Sequence, residues 1–234
     1  MTGKIVSVQV GMPQKLGGAD GAGNTLAPWE SGIYKSAVAG PVRAGKTGLA
    51  GDGQAFEEHG GPDKAVFAFA VENLEHWARE LALGAVVHGA QGENLTTSGL
   101  LESSVCIGDI FTAGEVRLQV TQPRQPCWKI ARRNDNRREL PALMEKTGRS
   151  GWYFRVVVEG YLEAGMDLIL AERPAPSWSV ERAFLTLRDL PATAAAAREL
   201  MQVPALSQRW KESLRRGLEQ GQAGDPAHRL YDTP

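Results

Sequence analysis

Residues 115–130 read EVRLQVTQPRQPCWKI, and the fold turns on this stretch. Val116, Leu118 and Val120 alternate with polar residues, the period-two pattern of a strand with one face in a core. Pro123 and Pro126 then end the strand, because proline donates no ladder hydrogen bond. They deliver the chain to Cys127, which lies between Arg124 and Lys129. Neighbouring cations lower a cysteine pKa, and the thiolate is both a nucleophile and a soft metal ligand. Two readings of the thiol stand: a reactive group held by its cations, or a buried apolar cysteine beside unrelated surface charges.

Toward the N-terminus, KIVSVQVG (4–11) alternates as a strand, and the Gly- and Ala-rich run from Gly17 to Asn24 reads as a loop. Lys35 to Ala44 is expected as a further strand. Five glycines fall between Gly48 and Gly61, which implies tight turns or close backbone approach to something bound. That segment is not a GxxxxGK[ST] phosphate loop, since neither the spacing nor a following helix fits. It ends in the polar cluster Glu57, Glu58, His59, Gly60, Gly61, Pro62, Asp63, Lys64, where a loop can present binding groups on a rigid scaffold. Lys64 to Ala70 is strand-like. A helix is expected from Glu72 to Leu83 with Leu74, Trp77 and Leu81 on its apolar stripe. Gly92 to Thr96 reads as a turn or loop, Cys106 as buried and inert, and Gly108-Asp109 as the break between two short strands.

Toward the C-terminus, a helix is expected between Asn134 and Lys146, starting close to Leu140 because Pro141 belongs in a first turn, and ending at Thr147-Gly148. Trp152 to Glu159 and Asp167 to Glu172 are strands joined through Gly160 and Gly165. Short strands, Gly-rich turns and no βαβ rhythm predict a mostly β, barrel-like fold with peripheral helices. Pro174-Ala175-Pro176 marks a boundary between a β domain at 1–173 and three short helices at 177–220. The first helix is capped by Ser179 and carries Val180, Phe184 and Leu187. Pro191 starts the second, and Pro204 the third, which carries Leu206, Trp210, Leu214 and Leu218. Their apolar stripes require burial against the barrel, a redox partner or a second copy in a homo-oligomer. Residues 221–234 read as a loose tail.

With 26 Lys and Arg against 27 Asp and Glu in 234 residues, nothing draws the chain as a whole to nucleic acid or an acidic membrane. Lys211, Arg215 and Arg216 on the last helix read as a solvated face rather than a nucleic-acid contact. No apolar run approaches the roughly 20 residues of a membrane span, and no secretion signal opens the chain. Two cysteines are too few for a disulfide framework and suit a reducing cytoplasm. No CxxC pair or His/Cys cluster supports a structural zinc site.

Taken in order, His59-Gly60-Gly61-Pro62-Asp63-Lys64-Ala65, Gly92-Glu93-Asn94-Leu95, Gly108-Asp109, Gln122 to Cys127 and Gly148 to Phe154 resemble the MOSC family. These are molybdenum-cofactor-binding domains related to the C-terminal domain of molybdenum cofactor sulfurases. The similarity is strongest over 33–172, and the three helices at about Trp178 to Leu218 resemble those of the YiiM-like bacterial subgroup. The resemblance implies a pyranopterin molybdenum cofactor with Cys127 as metal ligand and catalytic residue. It also implies reduction of N-hydroxylated small molecules such as hydroxylaminopurines and amidoximes. His59 is then expected to donate to an oxo group, shuttle a proton or order its loop. Arg124 and Lys129 are expected to pair with the cofactor phosphate, and Gly60 and Gly61 to form an anion-holding concavity. Asn94 suits a pterin edge, Lys64 binds cofactor, and Asp63 braces His59 or Lys64. The chain carries no ferredoxin-type cysteine cluster, so a reductase of this kind draws electrons from a separate redox protein. Persulfide sulfur transfer on Cys127, a non-catalytic cofactor carrier, and a β domain binding an unrelated anion through Arg124 and Lys129 remain as alternatives.

Overall fold

Strand β1 (Thr2–Val10) is where the sheet closes on itself in the computed structural model, which describes residues 1–19 and 25–231. A β-ribbon of β2 (Gln14–Ala19) and β3 (Thr25–Ser31) follows, then the short strands β4 (Ser36–Ala37), β5 (Val42–Gly45) and β6 (Gly48–Leu49). Two single-turn 3-10 helices, Glu57–His59 and Pro62–Lys64, precede β7 (Val66–Ala70), α1 (Val71–Glu80) and β8 (Leu95–Ser98). Next come β9 (Ile110–Ala113), β10 (Val116–Pro123), α2 (Trp128–Arg133), α3 (Glu139–Thr147), β11 (Trp152–Val158), β12 (Gly160–Leu162) and β13 (Asp167–Glu172).

The sheet runs β13-β9-β10-β11-β7-β8-β1, and β1 pairs back onto β13 through Thr2↔Ile169 and Gly3↔Leu168. Closure makes a seven-stranded barrel, which removes the unpaired edges an open sheet would leave. Alternation fills it: Val116, Leu118 and Val120 of β10 pack inward with Ile5, Val66, Ala68, Phe111 and Phe154. The odd residues of β7, Phe67 and Phe69, face outward into a second cluster with Leu74 and Trp77 of α1, Ile130 of α2 and Leu140 and Met144 of α3. Being buried on both faces, β7 reads as a continuous apolar run rather than an alternating one.

After β13 come α4 (Val180–Arg188), α5 (Ala194–Leu200), α6 (Gln208–Gln220) and α7 (Ala227–Leu230). Ser179 Oγ caps α4 by accepting from Arg182 N at 3.0 Å, as the sequence predicts. Val180, Phe184, Leu187, Leu200, Trp210 and Leu214 belong to the same apolar cluster as the barrel interior. The amphipathic stripes are therefore buried against the barrel.

Several expectations are corrected. The run Lys35 to Ala44 is two short strands, broken at Gly40 (φ 83°) and Pro41. The loop expected at Gly17 to Asn24 is strand as far as Ala19, and residues 20–24 lie outside the described residues. The Gly92–Thr96 loop gives way at Leu95 to β8, which runs parallel to β7, so one βαβ unit is present after all. Its polar Thr96 and Thr97 hide the strand, although both are fully buried. Helix α2 begins immediately after Cys127, where no helix was expected. Helix α6 starts at Gln208 rather than at Pro204, because Ser207 Oγ caps it by accepting from Trp210 N at 3.1 Å. The supposed loose tail carries α7, whose Leu230 is buried.

Candidate functional site

Two features of β10 aim the chain at the site. The β10–β11 register shifts between Val120 and Gln122, a bulge that re-aims the following side chains. Thr121 at the bulge donates to Asp63 O at 2.6 Å, which ties down the 3-10 turn carrying Lys64. Gln122 then turns to the helices and accepts from Ser207 Oγ at 2.6 Å.

The chain beyond is held by glycine. Arg124 N donates to Gly151 O at 3.0 Å, and Gly151 N donates to the buried Glu102 carboxylate at 2.7 Å. Gly151 has φ 80°, and a Cβ there would meet Ala68 O at 2.4 Å, so no other residue lets the strand approach so closely.

Held this way, Cys127 opens into a cavity of about 240 Å³ whose walls also include His59, Lys64, Asn94, Arg124 and Lys129. Six sequence-predicted site residues thus converge. Gly60, Gly61 and Asp63 do not line it. Gly61 (φ 92°) serves the turn into Pro62–Lys64. Asp63 braces neither His59 nor Lys64, because its Oδ1 accepts from Arg155 Nε at 2.9 Å and from Nη2 at 2.5 Å.

The charges in the cavity are differently satisfied. Arg124 is buried over the Phe67 ring at 5.5 Å, and its Nη1 has no hydrogen-bond partner among the described residues. Lys129 Nζ donates to Glu30 O at 2.8 Å and lies 4.3 Å from the Phe56 ring centroid, with Trp128 and Trp29 at 5.6 and 5.9 Å. Burial lowers its pKa, and the nearby Cys127 raises it. His59 keeps an exposed edge at the mouth. Partial burial, then the charges of Lys129, Lys64, Arg124 and Arg209, bring its pKa down to about 4. Burial and then Arg209 bring Lys64 to about 8, with its Nζ donating to Glu58 O at 2.7 Å. At neutral pH the imidazole is uncharged and the ammonium still holds its proton.

Asn94 has less freedom than its residue type suggests. Its Oδ1 accepts from Phe67 N at 3.0 Å, and its Nδ2 donates to Asp52 Oδ2 at 2.9 Å and Gln9 O at 3.3 Å. It is a joint between β7, β1 and the loop holding Asp52. Sequence reasoning missed Lys35 and Asp52, a buried ion pair in the wall, and Tyr153, whose phenol pKa burial raises. It also missed Arg209, Ser213 and Arg229, which the helices add to the same wall. No local spacing signals these, since the barrel and helices bring them together only in the folded chain.

A family model described as MOSC domain matches residues 56–168, and one described as YiiM-like, 3-alpha helix domain matches 178–221. Protein YiiM of Escherichia coli is 36% identical over 204 residues, 86% of this chain and 90% of that protein. The chain belongs to the MOSC family. Its YiiM-like subgroup membership agrees with a crystal structure of YiiM from Geobacillus stearothermophilus, which matches at TM-score 0.74 and 36% identity. That match covers 92% of this chain and 99% of that one. A protein of Gibberella moniliformis called Reductase is 40% identical over 153 residues, 64% of this chain but 27% of its own length. MOSC proteins are broadly associated with molybdenum cofactor binding.

The donor set of this MOSC chain fits such a group. Among the described residues no three His, Cys, Asp or Glu side chains gather to hold a metal, so a metal here must bring most of its ligands with it. One half-buried thiol beside a guanidinium with one unsatisfied nitrogen and several cations suits an anionic, sulfur-rich molecule that adds a single protein ligand.

Proposed function

We propose that this chain is a molybdenum-cofactor-dependent reductase of N-hydroxylated small molecules, with Cys127 as the protein ligand to the metal. The observation that carries the reading is the juxtaposition of the Cys127 thiol with Arg124, whose Nη1 is buried and without a partner among the described residues. A buried cationic donor left unsatisfied costs free energy unless a ligand meets it. Arg124 and Lys129 would hold the cofactor phosphate, and Cys127 the metal. When bound, that cofactor supplies the redox centre that takes up the hydroxyl oxygen of an N–OH group.

The chain's own residues do the rest. Reduction of N–OH to N–H with release of water consumes two electrons and two protons. The two protons come from solvent, and Lys64, held near 8, stays charged at neutral pH. His59, held near 4, acts there as a neutral hydrogen-bonding group rather than as an acid. Trp29, Phe56 and Trp128 fix Lys129 beside the thiol. Electrons come from a separate redox protein, since Cys106 is buried and Cys127 is the ligand.

The test is the molybdenum and pterin content of protein purified anaerobically from a cofactor-competent host, beside Cys127→Ser. Near-stoichiometric metal in the parent, little in the variant, and turnover of an amidoxime with reduced viologen only in the parent are expected. Equal metal in both removes Cys127 as the ligand. Metal-free protein bearing transferable sulfane sulfur on Cys127 replaces this reading with sulfur transfer.

A further inference from the structure

The cavity holds more positive charge than one cofactor phosphate answers. Six Lys and Arg side chains line it: Lys35, Lys64, Arg124, Lys129, Arg209 and Arg229. Lys35 is paired with Asp52 and Arg229 with Glu145, which leaves four. A phosphate monoester carries up to two negative charges at neutral pH, enough for Arg124 and Lys129 beside Cys127. Lys64 and Arg209 remain.

These two come from separate parts of the chain and line the same cavity, both beside Glu58. Lys64 closes the 3-10 turn after Gly61, and Arg209 sits in the first turn of α6. Ser207 fixes that turn, bonding Gln122 through its hydroxyl and Thr121 O through its backbone N–H at 3.1 Å. The two cations repel, and both lean on Glu58: Lys64 on its carbonyl at 2.7 Å, Arg209 on its carboxylate at 3.5 Å. The Glu58 side chain is 71% exposed, so its hold on Arg209 is long, solvated and easily exchanged. Among the described residues, Asp63 is bound to Arg155 and Asp52 to Lys35, so neither offers a counter-charge. Two like charges brought together at one displaceable carboxylate are suited to an arriving dianion.

We propose that Lys64 and Arg209 form a second anion subsite that grips the phosphate of the substrate, with Glu58 holding Arg209 until the phosphate displaces it. The site then selects phosphorylated N-hydroxylated compounds over their unphosphorylated counterparts, for which AMP and adenosine serve as a probe pair. The helical region contributes half of this selection. The inference rests on the reductase reading for the reacting end of the substrate, but the phosphate grip is measurable without turnover.

The experiment is calorimetric binding of AMP and of adenosine, the reduced forms of such substrates, to cofactor-loaded protein at 0.15 M salt. AMP is expected to bind at least about tenfold more tightly, the worth of a charge-assisted contact. Arg209→Gln and Lys64→Gln should each bring the two ligands to within about threefold, Glu58→Gln should tighten AMP alone, and Arg216→Gln, on the same helix but not in the cavity wall, should leave the preference in place. Arg209 is 54% exposed, so its variant keeps the fold. Equal binding of AMP and adenosine, or binding of neither, overturns the proposal. So does a preference kept in Arg209→Gln, which would put the phosphate elsewhere in the cavity. Metal content in the same samples separates the two failures: loaded protein without AMP preference defeats the second subsite alone, and protein that never loads defeats the reductase reading.

Discussion

Glu102 and Arg124 are both buried ionisable groups joined through the backbone of Gly151, yet they are treated in opposite ways. Glu102 is enclosed behind α1, and burial raises its pKa. It accepts from Asn73 Nδ2 at 2.7 and 3.0 Å and from Gly151 N at 2.7 Å. Glu93 is handled likewise, by Gly89 N, Gln91 N and Thr96 Oγ1 at 2.7 to 3.0 Å. Arg124, only 7% exposed, has a guanidinium nitrogen with no partner among the described residues. Buried acids whose oxygens meet the protein's own donors hold the fold, whereas a buried base left wanting an acceptor is built for something that arrives later.

The contrast breaks first at Glu102. Glu102→Ala strands the Gly151 N–H and the Asn73 amide in an apolar wall, and should cost about 3 kcal/mol, or roughly 10 °C in melting temperature for a chain of this length. A loss under about 1 kcal/mol would mean that this acid is not structural. Arg124→Gln should do the reverse. Removing an unpaired buried charge leaves stability within about 1 kcal/mol of the parent or above it, while affinity for the cofactor falls about tenfold or more. Melting curves and molybdenum content on the same preparations decide both.

His59 sharpens the comparison along the pH axis. Its pKa drops from the ordinary 6.5 to about 4 on folding, burial first and four cations after. Between those values the unfolded chain takes up a proton that the folded one refuses. Stability associated with this group is therefore fully present above pH 6.5 and lost as pH falls toward 4. Urea midpoints of the parent should decline between pH 7 and pH 4.5 more steeply than those of His59→Gln. Parallel declines would place His59 away from the cations.

What the sequence reveals of all this follows from how local each signal is. β1, β10, β11 and β13 alternate, and alternation is visible in one strand read alone. β8 was invisible because Thr96 and Thr97 look like turn residues, and only the fold buries them, with Thr96 serving Glu93. α2 is too short for a period to emerge, so its Lys129 was legible as a neighbour of Cys127 but not as a residue held under Phe56 and Trp128. At the site, Arg124, Cys127 and Lys129 were legible as neighbours in the chain. Arg209 and Arg229 were not, because each meets that stretch across about eighty or more residues of intervening sequence, and exposed cations on helices are the commonest thing helices carry.

The two cysteines repeat the contrast on a smaller scale, and Arg229 is where it can be tuned. Cys106 is buried, bonds Pro176 O at 3.5 Å, and has its pKa raised by burial and then by Asp109. Cys127 is half-buried in the cavity wall. Arg229 of α7 donates to Pro126 O, the carbonyl immediately before Cys127, and to Glu145 Oε2 of α3 at 3.0 Å. The last helix thus clasps the turn that presents the thiol. In the folded parent, iodoacetamide should modify Cys127 and spare Cys106. Arg229→Gln loses one partly exposed ion pair and one hydrogen bond, about 1 kcal/mol and a few degrees of melting temperature. The same change frees the turn to open locally, so alkylation of Cys127 should quicken about fivefold, in proportion to about 1 kcal/mol of opening free energy, while Cys106 stays protected. Glu145→Gln, which breaks one arm of the clasp and spares the Pro126 bond, should cost similar stability with little change in rate. If both variants lower stability equally and neither changes the rate, α7 secures α3 alone, and the thiol is positioned by the two prolines and the Gly151 contact without it.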